Sequence, residues 1–186
     1  MNLDQVVKEL GLKMDKTIQD LKQKLGKVRT GRASAGLLDE VRVSYYGQMT
    51  PIKQMANITI PEPRLIIIQP YDPNVLKEVE KSIINSELGL NPHNDGKVIR
   101  VPIPELTEER RKEMVKVVKK IGEEHKVALR QERGKAIDTL RKMQKDKQIT
   151  EDELHRGQDE LQKKVDKITR EVDELCAKKE KEILEV

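Results

Sequence analysis

TEERRKEMVKVVKKIGEEHKVALRQERG, residues Thr107 to Gly134, carries two rows of side chains of opposite character on one helical pattern. Met114, Val118, Ile121, His125 and Ala128 recur at steps of four and three, the spacing that lines up an apolar seam facing partner helices. Lys112, Lys116, Lys119, Glu123, Lys126, Arg130 and Arg133 repeat at the same steps, starting two residues earlier. Two residues are about 200° of helical rotation, which puts the basic row almost opposite the seam. Thr107 is the expected N-cap, with Glu108 and Glu109 at the positive end of the helix dipole. Continued to Lys145, the helix would span roughly 60 Å at 1.5 Å per residue. Gly122 and Gly134 each disfavour a helix by about 1 kcal/mol relative to Ala, and they mark the two places where it would break.

Working outward, two further helices offer matching seams. Leu3, Val7, Leu10, Met14, Ile18, Leu21, Leu25 and Val28 follow one another at steps of three and four, predicting an amphipathic helix over 3–28 that weakens at Gly31. On the other side, Thr150 with Glu153 three residues later forms a capping box. It opens a third helix with Leu154, Leu161, Val165, Ile168, Val172 and Leu175 on its seam. None of the three can bury its seam alone, and a three-helix bundle is the economical arrangement.

Between the first and second helices the pattern changes to that of a small mixed α/β module. VRVSYY at 41–46 alternates with period two and ends at Gly47. ITI at 58–60 continues the pattern, and LIII at 65–68 reads as a fully buried strand. Asp72 and Pro73 predict an N-cap and first helical residue for a helix to about Glu87, with Gly89 as terminator. Asn94-Asp95-Gly96 signals a hairpin before the strand at 98–101. The fold class is therefore α+β: a long three-helix bundle from residues 1–30 and 105–186, with a small β/α/β domain of residues 31–104 inserted. Two stretches, 29–34 outward and 101–105 on return, join the domains and permit a hinge.

Composition narrows the chemistry. Only 35% of residues are hydrophobic against 38% charged, and there is no Phe or Trp, so the core must be aliphatic. Cys176 is the one cysteine, a small core residue that cannot form an internal disulfide and that suits a reducing cytoplasm. The N-terminus lacks the apolar region of a signal peptide, and no run approaches a membrane span. His93, His125 and His155 are scattered without metal-ligand spacing, and neither a phosphate-binding glycine loop nor a nucleophile elbow is present. No catalytic site, metal or cofactor is expected.

Charge is segregated along the chain. Residues 105–145 hold 13 basic and 8 acidic groups, whereas residues 146–186 hold 9 and 13. Residues 1–30 hold 7 basic and 4 acidic groups, so a polyanion would prefer that segment and residues 105–145, which contain the helix quoted above. Lys126, Arg130 and Arg133 form its densest cluster, and arginine grips phosphate with two parallel hydrogen bonds. A solvated helix face stabilised by pairs such as Glu109 with Lys112 and Glu113 with Lys116 accounts for the row equally well. If the row binds, the lack of stacking aromatics on it favours a folded, A-form RNA backbone over single strands.

RTGRAS at 29–34, YYG at 45–47, LGLNP at 88–92, IRVPIP at 99–104 and LTEERRKE at 106–113 are each weak alone. Together and in this order, the chain resembles the bacterial ribosome recycling factor family over essentially its whole length. That resemblance implies an L-shaped two-domain molecule that binds the post-termination ribosome. With elongation factor G and GTP hydrolysed by that factor, it would split the ribosome into subunits and release messenger and transfer RNA. It implies no enzymatic activity, a cytoplasmic monomer, and no membrane or DNA partner. By position, the resemblance places large-subunit RNA contacts at Arg130 and Arg133, with Lys126, Lys119, Lys116 and Lys112 along the same face. It places the hinge at Thr30, Gly31, Arg32, Pro102, Pro104 and Glu105. The competing reading is a helical protein–protein adaptor without ribosome binding.

Overall fold

A computed structural model describes residues 1–185 of the chain. The elements run α1 (Leu3–Gly26), β1 (Arg42–Tyr45), β2 (Gln48–Pro51), α2 (Ile52–Met55), β3 (Ala56–Glu62), β4 (Leu65–Pro70), α3 (Leu76–Asn85), β5 (His93–Asn94), β6 (Ile99–Pro102), α4 (Glu108–Lys145) and α5 (Glu151–Leu184). They separate into two compact units, one of Met1–Leu25 with Val115–Glu182, the other of Gly26–Met114 with the residues from Ile183 onward.

The helical unit is built by α1, most of α4 and α5. All of the seam expected for α1 is buried, and Val6 joins it. The helix stops at Gly26, two residues short of the predicted end. Its start is fixed by a reciprocal cap: the Gln5 N–H donates to Asn2 Oδ1 at 2.9 Å and the Asn2 N–H to Gln5 Oε1 at 2.8 Å. At the head of α4, the Arg110 N–H donates to Thr107 Oγ1 at 3.2 Å. The helix then runs unbroken through Gly122 and Gly134 for 38 residues, so neither glycine interrupts it. The expected capping box opens α5, with the Thr150 N–H donating to Glu153 Oε2 at 2.7 Å and the Glu153 N–H to Thr150 Oγ1 at 3.1 Å.

The buried face of α4 differs from the predicted seam. Val118 and His125 are buried as expected, but Met114, Ile121 and Ala128 are only half-buried, and Gly122 and Leu129 take the central positions. At about 100° per residue this turns the buried face roughly 50° toward the basic row. Close packing is the cause. A Cβ on Gly122 would stand 2.8 Å from Cys176 Sγ of α5, a distance that only glycine relieves. α5 also departs from its predicted seam, burying Gly157 and Cys176 beside Leu161, Val165 and Val172 while Leu154, Ile168 and Leu175 stay half-exposed. Gly157 lies under α1 and α4, where a Cβ would meet Leu3 Cδ1 at 2.5 Å and Leu140 Cδ1 at 2.9 Å. Cys176 is buried as read, and burial pushes its thiol pKa up.

His125 is the buried polar side chain of this face. Its Nδ1 lies 2.7 Å from the Ile121 carbonyl and its Nε2 2.7 Å from Asp20 Oδ2 of α1. That hydrogen bond, followed by Lys24, holds the Asp20 carboxyl below its ordinary pKa.

The inserted unit carries a four-stranded sheet in the order β3-β4-β6-β5 and a β1–β2 hairpin, and every pairing is antiparallel. β2 was not expected. It exists because Tyr46 and Gly47 both adopt positive φ, 47° and 83°, and turn the chain back within two residues. β4 is buried on one face: Ile66 and Ile68 are inaccessible, while Leu65 and Ile67 are half-exposed, so it alternates instead of being covered on both sides. Val79 and Ile83 of α3 join Ile66, Ile68, Ile99 and Val101 in the core. Asp72 caps as expected, accepting from the Asn74 N–H at 2.9 Å, but a 3₁₀ turn at Pro73–Val75 precedes α3, which ends at Asn85.

Candidate nucleic-acid interface

The basic row lies on one continuous helix, α4, so its spacing along the axis is fixed by helix geometry. Lys112, Lys116, Lys119 and Arg130 are exposed, whereas Lys126 and Arg133 are half-buried. The phase of the helix explains the difference. With the buried face turned toward the row, Lys126 and Arg133 fall on its flank beside α5 instead of opposite it, which corrects the expected opposition of the two faces.

Neighbours sort the row into two halves. In the first half, Lys112 Nζ lies 3.3 Å from Glu108 Oε1, and Lys116 and Lys119 make no ion pair among the described residues. The expected pairs Glu109 with Lys112 and Glu113 with Lys116 do not form; Glu113 instead binds Arg110 at 3.0 Å. In the second half, Lys126 pairs with Asp173 of α5, a contact that raises the ammonium pKa. Arg130 NH2 lies 3.0 Å from Glu123 Oε1. Arg133 NH1 donates to Gln162 Oε1 at 2.7 Å, and its Nε is buried without a hydrogen-bond partner. Gln162 is fixed in turn by donating to Asp166 Oδ1 at 2.7 Å.

Gln162 and Asp173 were missed from the sequence. The acidic excess of residues 146–186 shows that partners for the row exist on α5. Which residue meets which depends on the register between two helices, and neither helix encodes that alone.

The six predicted hinge positions all lie inside the inserted unit, where all but Pro102 line one cavity. Thr30 is buried and its Oγ1 accepts from the Arg32 N–H at 3.3 Å. Gly31 has φ +77°, with Leu106 Cγ 3.5 Å from where a Cβ would stand. Glu105 pairs with Arg64 NH1 at 2.5 Å, and Pro102 is the last residue of β6, opposite Leu65. Thr30, Gly31, Arg32, Pro104, Glu105 and Leu106 help to line a cavity of about 180 Å³. Among the described residues there is no group of His, Cys, Asp and Glu able to hold a metal, and no helix long and apolar enough to cross a membrane.

The family model "Ribosome recycling factor" matches residues 21–184. The ribosome-recycling factor of Alkaliphilus oremlandii is 58% identical over 182 residues, 98% of each chain. That of Geobacillus thermodenitrificans is 52% identical over 182 residues, again 98% of each. A solution structure of the ribosome recycling factor is similar with TM-score 0.80 and 41% identity, over 100% of this chain and 99% of that one. A second solved structure comprises models of the T. thermophilus ribosome recycling factor and E. coli elongation factor G bound to the E. coli post-termination complex. It is similar with TM-score 0.71 and 43% identity, over 99% of this chain and 100% of that one.

Proposed function

Since the chain belongs to the ribosome recycling factor family, we propose that it works on the post-termination ribosome and that the α4 row is its grip on large-subunit RNA. With elongation factor G and GTP, it splits that ribosome into subunits, releasing messenger and transfer RNA. It is not an enzyme; its contribution is mechanical. The helical unit is the part held on RNA. Residues 31–104 are the arm that meets the GTPase factor, and it moves over Thr30 to Arg32 and Pro102 to Glu105 at its two ends. The protein acts in the cytoplasm as a monomer, with neither DNA nor membrane as partner.

One observation carries this reading: an unbroken helix of 38 residues presents Lys116, Lys119, Lys126, Arg130 and Arg133 along one side, in a chain matched almost end to end by recycling factors. A fixed row of cations without aromatic rings suits recognition of a folded RNA backbone by charge and shape. The test is large-subunit binding by the double variant Arg130→Ala, Arg133→Ala across a salt series. Affinity should fall about 10- to 100-fold, and the slope of log K against log salt should flatten by roughly 1.5, two phosphate contacts' worth. Unchanged binding would remove these residues from the interface.

A further inference from the structure

The half of the row that carries the arginines is already occupied. Lys126 is held by Asp173, Arg130 by Glu123 at 3.0 Å, and Arg133 by Gln162 at 2.7 Å. Lys116 and Lys119 make no ion pair among the described residues. A phosphate therefore reaches the lysines at once but reaches the cluster only by displacing something. We propose that Asp173 and Glu123 are specificity-determining residues, which hold Lys126 and Arg130 until an RNA surface with phosphates matched to the whole cluster displaces them, and which repel RNA that does not match. This rests on the reading of the row as an RNA grip.

The physics of the exchange supports it. Both acids are exposed, with side-chain accessibilities of 56% for Asp173 and 60% for Glu123. Exposed ion pairs of this kind hold weakly, so a matched set of phosphates can replace them. For an RNA that engages one cation at a time the balance reverses. Each phosphate must then approach a cation whose carboxylate stays beside it, and like charges in contact discriminate against the wrong partner. Arg133 favours the exchange in a different way. Its buried Nε has no acceptor, so a guanidinium that swings out to a phosphate gains a hydrogen bond it lacks at rest. The free lysines meanwhile steer any polyanion toward the helix without selecting among them.

Asp173→Asn and Glu123→Gln keep shape and remove charge. The full-length double variant and the wild type are compared for binding to purified large ribosomal subunits and to a mixed-sequence RNA duplex, at several salt concentrations, with unfolding curves as a control on the fold. The duplex should bind about 3- to 10-fold more tightly to the variant, with a steeper salt dependence. Subunit binding should change by less than about twofold, so the preference for subunits falls by the difference. An unchanged preference, whether both affinities rise together or neither moves, overturns the proposal. Where the wild type binds subunits in a salt-sensitive way and Arg130→Ala, Arg133→Ala weakens that binding, such a result removes this proposal alone. Where the wild type shows no salt-sensitive binding, the ribosomal RNA reading falls with it.

Discussion

In the helical unit Gly122 and Gly157 sit in buried helix faces, and a Cβ on either would come within 3 Å of a side chain on a neighbouring helix. In the inserted unit Gly47 has nothing within 4 Å of a Cβ but stands at φ +83° beside Tyr46 at φ +47°. Glycine is demanded by a neighbour in the first case and by the backbone in the second. Close approach lets three seams of ordinary aliphatic residues meet without aromatic filling. Tight two-residue reversals let short strands pair in antiparallel order. The helical unit should therefore be most sensitive to added volume, and the inserted unit to lost conformational freedom.

Aromatic residues make the two units separately observable. Tyr45, Tyr46 and Tyr71 all lie in the inserted unit and there is no Trp, so tyrosine fluorescence reports on that unit while far-UV dichroism is dominated by the long helices. The largest effect is expected from Gly157→Val, which forces a branched side chain against Leu3 and Leu140. Overpacking of this kind costs about 3 kcal/mol, and the dichroism transition in urea should move to lower denaturant accordingly. A shift confined to tyrosine fluorescence would break the comparison.

Gly47→Ala should act in the other unit and by the other mechanism. An L-residue in the left-handed region costs about 1 to 2 kcal/mol, and there is open space for the methyl group. The tyrosine transition should move by that amount, with the dichroism transition following only as far as the two units unfold together. If the variant is as stable as the wild type, the hairpin has relaxed to another turn and the backbone demand at this position is not strict.

Much of this was legible in the sequence wherever the information is local. The α1 seam, the Thr150–Glu153 box, the Asp72 cap and the reversal at Asn94–Gly96 each depend on residues within a few positions of one another, and each stands where it was read. The misreadings at the helix faces are contacts between distant residues. Ile121 and Ala128 look better buried than Gly122, until Cys176 of α5 is close enough to require a glycine. Arg133 reads as solvent-facing until the face turns and Gln162 meets it. β2 was hidden for a different reason: a tyrosine at φ +47° is a poor advertisement for a two-residue turn. At the candidate site the cations could be found by counting, but their partners could not.

The smallest expected effect is at Gly134, and it sharpens the comparison most. It lies in α4 like Gly122, yet nothing stands within 4 Å of where its Cβ would be. If glycines in this unit persist only where a neighbour demands them, Gly134 has no structural reason to be glycine. Gly134→Ala should then stabilise α4 by up to about 1 kcal/mol through helix propensity, raising Tm by roughly 2 to 4 °C for a chain of this size. Thermal unfolding followed by dichroism checks this, and large-subunit binding by the same variant is the informative companion. Gly134 directly follows Arg133, whose guanidinium, in the exchange proposed above, swings from Gln162 to a phosphate. A variant that is more stable but binds subunits as well as the wild type leaves the glycine without a role in the grip. One that is more stable and binds less well would mean that local backbone freedom in α4 serves that movement, a third use of glycine that neither packing nor turn geometry supplies.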